Sequence, residues 1–143
     1  MLSITCKSAI KAVIFLACRY ESGVNAGIKE IAEFTNANEH TVGKLLQTLV
    51  KQNVINSVKG PSGGFHISKE QLERPIIDII EAIDGKEVFR QCGLGLQKCS
   101  ASRPCPIHDQ YKVARDIIEQ IFTRNKIMDL RDPVNKGMAY LIA

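Results

Sequence analysis

The chain has 143 residues, of which 45% are hydrophobic, and a formal net charge of +4 at pH 7. That length suits one domain with an appended arm, and the mild positive charge permits nucleic-acid binding without demanding it. No apolar run approaches the roughly 20 residues of a membrane span, and no secretory signal is evident. We therefore expect a cytoplasmic protein with no membrane partner.

The N-terminal third shows three helical patterns separated by turn residues. Apolar spacing predicts a first helix over residues 3–20, a second over 27–34 and a third over 39–52, with Asn38 as the N-cap of the third. Two helices joined by a short turn are typical of a helix-turn-helix.

A β-hairpin is predicted next, because the turn residues 59–64 separate two β-prone runs at 54–58 and 65–67. Three helices followed by a Gly-rich hairpin predict a winged helix-turn-helix. A helix of this size fits the major groove of DNA, and the hairpin tip can approach the phosphates beside it. For the helix residues, an ordinary polar surface is the alternative interpretation. The candidate DNA-binding residues lie early in the third helix or at the hairpin tip: His40, Thr41, Lys44, Gln47, Lys59, Ser62 and Gly63.

Three of the five cysteines lie close together, in a C-x6-C-x5-C-x2-H pattern that runs from Cys92 to His108. Thiolates are the soft ligands of iron–sulfur clusters and zinc, and imidazole is a common partner. The spacing favours an iron–sulfur cluster held by Cys92, Cys99, Cys105 and His108. Structural zinc, a disulfide and unligated thiols stay open, although zinc sites usually contain a tighter cysteine pair.

Two more helices are predicted around this loop. The first covers residues 75–83 and ends at Gly85, and the second runs from 106 to about 126. Cys105 is expected at the N-cap of the long helix, Pro106 at its first position and His108 in its first turn. A loop from Arg131 and a short helix around residues 136–141 complete the expectation.

The long helix carries a heptad-like stripe, which predicts a homodimer through a two-helix seam. The alternative is that this stripe packs onto its own domain. The apolar positions recur in steps of four and three, with polar Asn125 interrupting them: Ile107, Tyr111, Ala114, Ile118, Ile121, Asn125 and Met128.

The expected fold class is mainly α with a small β-hairpin wing, a winged helix-turn-helix followed by a long dimerisation helix. The expected division is a DNA-binding domain over 1–70, a connecting helix and cysteine-rich cluster loop over 71–105, and a dimerisation helix and C-terminal tail over 106–143.

Several stretches together resemble the BadM/Rrf-type (Rrf-two) family of winged-helix regulators. They are residues 2–12, 28–32, 79–85, the Lys-Gly-Pro-x-Gly-Gly-Phe wing at 59–65, and the three cysteines. The resemblance covers nearly the whole chain. It implies a homodimer that binds a partly palindromic operator in double-stranded DNA, with a cluster that tunes the affinity.

The resemblance also carries site residues to this chain. The family's recognition-helix positions match Asn38, His40, Thr41 and Lys44. In members with a two-iron two-sulfur cluster, a histidine shortly after the third cysteine completes the site, and His108 matches it.

Other members complete a four-iron cluster with an acidic residue of the partner's first helix. Lys7 stands at that place here, so its neighbour Cys6 is the alternative fourth ligand. Gly43 stands where some members carry a glutamate used in base reading, and the first cysteine interval is one residue longer. Those members' operator is therefore not assumed.

These patterns predict a transcriptional regulator, acting as a repressor, that senses iron, redox state or nitric oxide through an iron–sulfur cluster. A two-iron two-sulfur cluster is favoured over a four-iron four-sulfur cluster, and an exposed cluster is easily lost in air. No catalytic constellation is evident, so no enzyme is expected. The rivals are a winged-helix regulator that senses through thiols or zinc, and an iron–sulfur electron carrier.

Overall fold

The computed structural model describes residues 1–137, which form seven α-helices and two β-strands. The prediction of a mainly helical fold with a small hairpin is confirmed. None of the helices in this range is both long and apolar enough to cross a membrane. The elements are α1 (Ile4–Cys18), α2 (Ile28–Thr35), α3 (Glu39–Lys51), β1 (Asn56–Val58), β2 (Gly64–His66), α4 (Lys69–Leu72), α5 (Ile77–Asp84), α6 (His108–Arg124) and α7 (Ile127–Asn135).

Side-chain caps fix the starts of α1 and α3. The Ser3 hydroxyl accepts a hydrogen bond from the backbone N–H of Cys6 at 2.9 Å. The Asn38 side chain accepts one from the backbone N–H of His40 at 2.8 Å, as its predicted capping role requires. Because each cap satisfies an N–H that has no partner within the helix, both helices begin at defined residues.

The main core lies between α1, α2 and α3, with α7 covering the other side of α1. The apolar residues of α3 form one stripe that packs into this core. Its members are fully or almost fully buried: Val42, Leu45, Leu46 and Leu49. A second, smaller core joins α5, the start of α1 and the inner face of α6. Burial of these apolar faces is the main force that holds the helices together.

The wing is an antiparallel pair in which Ser57 faces Phe65. Phe65 also pairs on its other side with Ala26, through N–O hydrogen bonds of 2.8 and 2.9 Å. Gly64 has φ 142°, and a Cβ there would lie 2.6 Å from the carbonyl oxygen of Ala26. Only glycine fits this position, because a side chain would push the wing away from that neighbour. The first strand is shorter than predicted, since Val54 and Ile55 belong to the core, and the second has the predicted length but begins one residue earlier.

The short helix α4 was not predicted, although its signal is present. Ser68 and Gln71 form a capping box, in which the Gln71 side chain accepts from the Ser68 N–H at 2.9 Å. The S-x-x-Q pattern is a known helix-start signature. After α4, the helix α5 ends at Gly85, whose φ is 83°, as the sequence predicted.

The predicted bounds of α6 were wrong at its start. Ile107, and not Cys105, is the N-cap, and Pro106 lies before the helix. The backbone of Cys105 forms two hydrogen bonds instead of capping the helix. Its N–H donates to the sulfur of Cys99 at 3.3 Å, and its carbonyl accepts from the N–H of His108 at 3.0 Å. The placement of His108 in the first turn is confirmed.

The predicted seam of α6 turns partly inward. Tyr111 and Ile118 face the protein's own chain, Ile118 against the second core, so the alternative of packing onto the same domain is correct for this face. Asn125 has an extended backbone, which ends the helix before the stripe reaches Met128. A second stripe, which shares Ile121 with the predicted seam, is exposed over half of its surface, with four-residue spacing: Val113, Ile117 and Ile121.

The loop predicted from Arg131 is wrong, because Arg131 lies inside α7. The side chain of Asp129 accepts a hydrogen bond from the Lys126 N–H at 2.8 Å, and fully buried Ile127 anchors the first turn. These contacts extend the helix through Pro133 to Asn135. The short helix expected around residues 136–141 lies mostly outside the described residues, which end at 137.

An antiparallel backbone bridge joins the α6–α7 junction to the segment before α5. The N–H of Ile76 donates to the Asn125 carbonyl at 3.0 Å, and the N–H of Ile127 donates to the Arg74 carbonyl at 2.9 Å. Arg74 also donates to the Asn53 carbonyl, just after α3, at 2.5 Å. Arg74 therefore contacts both the end of α3 and the start of α7, which directly follows α6.

Substitutions in α3 should affect stability differently on its buried face and on its exposed face. Leu46→Ala should lower the free energy of unfolding by about 2–5 kcal/mol, because it leaves a cavity in the main core. The exposed neighbour Gln47→Ala should change it by less than about 0.5 kcal/mol. Urea unfolding followed by circular dichroism measures both, and equal losses for the two variants would contradict the placement of the core.

Candidate functional site

Three thiols converge in the loop between α5 and α6. The Sγ atoms of Cys92, Cys99 and Cys105 all lie within 4.8 Å of one another, and the Cys92–Cys105 pair is 3.7 Å apart. Nδ1 of His108 lies 3.3 Å from the Cys99 sulfur. The structure thus brings together the three cysteines predicted as ligands and places His108 beside one of them, and all four residues are half-buried.

Local turns fold the loop back on itself. The N–H of Gly95 donates to the Cys92 carbonyl at 3.0 Å, and Gly95 has φ 71°, which a residue with a side chain adopts only with strain. Farther on, Ser100 and Arg103 exchange backbone hydrogen bonds of 3.1 and 3.2 Å. These two turns return the chain twice, and therefore Cys92, Cys99 and Cys105 meet.

The thiols differ in their acidity. Backbone N–H groups of Leu96 and Leu94 point at the Cys92 sulfur and lower its pKa to about 7. The pKa of Cys99 is raised: the backbone N–H of Cys105 lowers it, but partial burial and the two neighbouring thiols outweigh that effect. Because the thiolate is the metal-binding and nucleophilic form, Cys92 is the thiol best prepared for either role near neutral pH.

The helix α6 holds both neighbours of Cys92. Nη1 of Arg115 donates to the Gln91 carbonyl at 2.6 Å. On the other side, a Cβ at Gly93 would lie 2.6 Å from the ring of Tyr111, so the ring sits directly against the loop backbone. Sequence reasoning assigned no role to Arg115, because a lone arginine in a long helix gives no sign of burial.

Cys6, the alternative fourth ligand, lies in the second core with no exposed surface. Burial and, to a smaller extent, the nearby carboxylate of Asp84 together raise the pKa of its thiol to about 12. A buried, protonated thiol is a poor ligand for a metal bound by another subunit, so these observations favour His108. Cys18 is half-buried at the end of α1.

A second group of predicted residues lies on the surface of the helix-turn-helix. The side chains at the start of α3 are exposed, as DNA contact requires: Asn38, His40, Thr41, Lys44 and Gln47. Asn38 already uses its side-chain oxygen as the helix cap, so only its amide group stays free of that bond.

The wing tip is anchored at its base and exposed at its end. Lys59 and Ser62 are exposed, and the Ser62 carbonyl accepts from the Asn25 side chain at 3.1 Å. A Cβ at Gly63 would lie 2.2 Å from the Val58 carbonyl oxygen. The tight turn therefore requires glycine there, which presents backbone at the tip.

A helix-turn-helix followed by a Gly-rich wing defines the winged-helix class of DNA-binding proteins. The family model Rrf2, described as an iron-dependent transcriptional regulator, matches residues 2–133. The chain is 33% identical over 128 residues to a protein of Aquifex aeolicus named as an HTH-type transcriptional regulator, covering 88% of each.

Solved structures show the same fold. The cysteine regulator CymR of B. subtilis is similar with a TM-score of 0.73 and 20% identity, over 92% of this chain and 95% of that one. T. potens IscR is similar with a TM-score of 0.71 and 19% identity, over 97% and 91%. The chain belongs to the Rrf2 family of transcriptional regulators, which confirms the resemblance seen in the sequence, and its relatives are regulators rather than enzymes.

The pKa difference predicts selective alkylation of the metal-free, reduced protein. Cys92 should react first with iodoacetamide, with a rate that rises through a midpoint near pH 7, because its thiolate forms there. Buried Cys6 should stay unmodified in the folded protein at the same pH. Peptide mass spectrometry after timed quenching gives each rate, and faster labelling of Cys6 than of Cys92 would contradict the assignment.

Proposed function

We propose that this regulator controls its DNA affinity through an iron–sulfur cluster held by Cys92, Cys99, Cys105 and His108. The observation that carries the proposal is the convergence of three sulfur atoms within 4.8 Å, with an imidazole nitrogen 3.3 Å from one of them. The description of the matching family as iron-dependent supports iron as the metal. A bound cluster would supply reversible one-electron chemistry and sensitivity to oxygen and nitric oxide.

The donor set fits such a group. Two thiolates on one tetrahedral metal, at bonds of about 2.3 Å, lie about 3.8 Å apart, and Cys92 and Cys105 are separated by 3.7 Å. One nitrogen ligand beside three thiolates favours a two-iron two-sulfur cluster, with a four-iron cluster as the alternative. Reduced thiol ligands also agree with the cytoplasmic location expected from the sequence.

DNA contact is assigned to the exposed start of α3 and to the wing. Asn38, His40, Thr41, Lys44 and Gln47 would face base edges in the major groove. At the wing tip, Lys59 would bind phosphate, while Ser62 and Gly63 would bring backbone N–H groups close to it. The proposed division of the chain at residues 70 and 105 then separates DNA reading, sensing and dimerisation.

A chain of contacts connects the two sites. Tyr111 and Arg115 on α6 hold the backbone around Cys92. The junction after α6 is bridged to residues 74–76: Ile76 bonds the Asn125 carbonyl, and the Arg74 carbonyl accepts from Ile127 at the start of α7. The Arg74 side chain donates to the carbonyl groups of Gln52 and Asn53 at the end of α3. Movement of the cysteine loop on cluster loss would therefore shift α6 and, through Arg74, change the position of α3 relative to DNA.

A homodimer through α6 is part of the proposal. Val113, Ile117 and Ile121 form an apolar stripe that is 61%, 54% and 52% exposed. Large apolar side chains in a row along one helix face are typical of a surface that another protein covers. A second copy would bury the same stripe by two-fold symmetry and would place two reading helices against one palindromic operator.

A charged substitution in the exposed stripe of α6 tests the proposed dimer interface. Ile117→Glu should convert the protein to a monomer, because an ionised carboxylate would be buried without a partner in the seam. Thr123→Glu adds the same charge on another face of α6 and should leave the dimer intact. Sedimentation velocity at micromolar concentration measures the mass, and a dimeric Ile117→Glu protein, or a monomeric parent, would contradict this interface.

Thiol sensing without a cluster is the second candidate. The Cys92 and Cys105 sulfurs are 3.7 Å apart, so a small movement would bring them to the roughly 2.05 Å of a disulfide bond. The low pKa of Cys92 would favour oxidation there. Iron and sulfide analysis of protein purified without oxygen distinguishes the two candidates.

The cluster proposal predicts a specific histidine effect. Protein purified without oxygen should be coloured, and His108→Ala should lose the visible absorbance or shift it, because one ligand is removed. His40→Ala removes an exposed histidine from α3 and should leave the spectrum unchanged, and Cys6→Ala should do the same. A colourless parent that contains no iron and cannot be reconstituted would contradict the proposal.

A further inference from the structure

Arg115 is the one charged side chain that is buried among residues 1–137, with 8% of its surface exposed. Its only hydrogen-bond partner in that range is the Gln91 carbonyl, and its Nε is buried with no partner. None of the ion pairs formed by the described residues includes it. A buried cation is costly unless a negative group compensates it, and a carbonyl oxygen carries only a partial charge.

The carboxylate of Asp116 interacts with Arg115 through space but forms its ion pair with Lys112. The position of Arg115 indicates a further negative group. Gln91 directly precedes Cys92, so the guanidinium is bonded to the backbone one residue away from one of the three converging thiols. Tyr111, one turn earlier on α6, has its ring 5.9 Å from the guanidinium carbon and packs against Gly93, directly after Cys92. The cation and the ring therefore fix the backbone on both sides of Cys92.

The cysteine site is expected to carry a net negative charge once it is filled with a zinc ion or an iron–sulfur cluster. Three thiolates carry three negative charges, and a zinc ion or an oxidised two-iron two-sulfur core contributes two positive ones, which leaves one negative charge. Reduction by one electron would add another. A positive group held beside Cys92 would stabilise the filled site, and would stabilise its reduced form more than its oxidised form.

We propose that Arg115 is a positioning residue of the cysteine site, which holds the backbone at Cys92 and supplies the positive charge that balances the metal-bound thiolates. This inference rests on the proposed function in that it takes the cysteines as metal ligands. It extends that function to a residue that binds no metal itself and that connects the site to α6.

Arg115→Met is the direct test, because methionine keeps much of the side-chain length and removes the charge. Zinc affinity, measured by competition with a chromophoric chelator, should fall about tenfold, which is the usual effect of losing a group that supports metal ligands. In the iron–sulfur form, loss of visible absorbance to a chelator should become faster by a similar factor. Arg115→Lys keeps the charge and should recover part of both effects.

Two further readouts distinguish this role from general structural support. The midpoint potential of the reconstituted cluster should fall in Arg115→Met and return towards the parent value in Arg115→Lys. The metal-free Arg115→Met protein should melt at or above the Tm of the metal-free parent, because a buried cation without a compensating anion has been removed. A merely structural arginine would lower that Tm.

Arg90→Met is the matched control. Arg90 lies two residues before Cys92, is exposed and pairs with Glu119 at 2.8 Å, so its charge is screened by water. It should leave zinc affinity and the midpoint potential nearly unchanged. Equal effects of the Arg90 and Arg115 variants would overturn the inference, since net charge alone would then explain them.

The outcomes separate the two proposals. A parent that binds zinc but never forms a cluster contradicts the proposed function, while the zinc affinities still test Arg115. A parent that forms the cluster, with unchanged affinity and potential in Arg115→Met, contradicts the inference alone. If the parent binds neither metal, the inference fails as well, and a lowered metal-free Tm of the variant would assign Arg115 a structural role.

Discussion

The burial of α1 between the other helices is the constraint on which the rest of the structure depends. Its fully buried residues Ala9, Ala12 and Val13 belong to the main core, whereas Cys6, one turn earlier, belongs to the second core. The small side chains let α2, α3, α5 and α7 approach one helix closely. The helix α3, which is proposed to read DNA, and α5, which packs against α6, thus share one support.

The cysteine loop differs from this support because it has almost no apolar core of its own. Its Leu94 and Leu96 side chains are 53% and 51% exposed, and its shape depends on turns, backbone hydrogen bonds and the contacts from Tyr111 and Arg115. A segment held by few buried contacts opens at low free-energy cost. A metal or cluster bound by the three thiols would join distant parts of this loop and would change the stability of the loop strongly. Such a change in stability suits a sensor.

Features that apolar periodicity and capping residues encode locally could be predicted from the sequence. The third helix, its cap Asn38 and the glycine at position 85 are where the patterns placed them. The inward rotation of α6 could not be read from its heptad-like spacing, since Tyr111 and Ile118 meet residues distant in the chain. The burial of Arg115 and the bridge at Arg74 are likewise tertiary features, which the local pattern of a single sequence does not contain.

The most direct test is the DNA affinity of one preparation measured with and without its cluster. A duplex selected from a random pool by the purified protein serves as the ligand, titrated without oxygen at several salt concentrations. The account predicts that removal of the cluster changes the dissociation constant by roughly 5- to 150-fold at each salt concentration, as is typical of coupled sites. It also predicts that binding weakens as salt rises in either form. Equal affinity of the two forms would contradict the account.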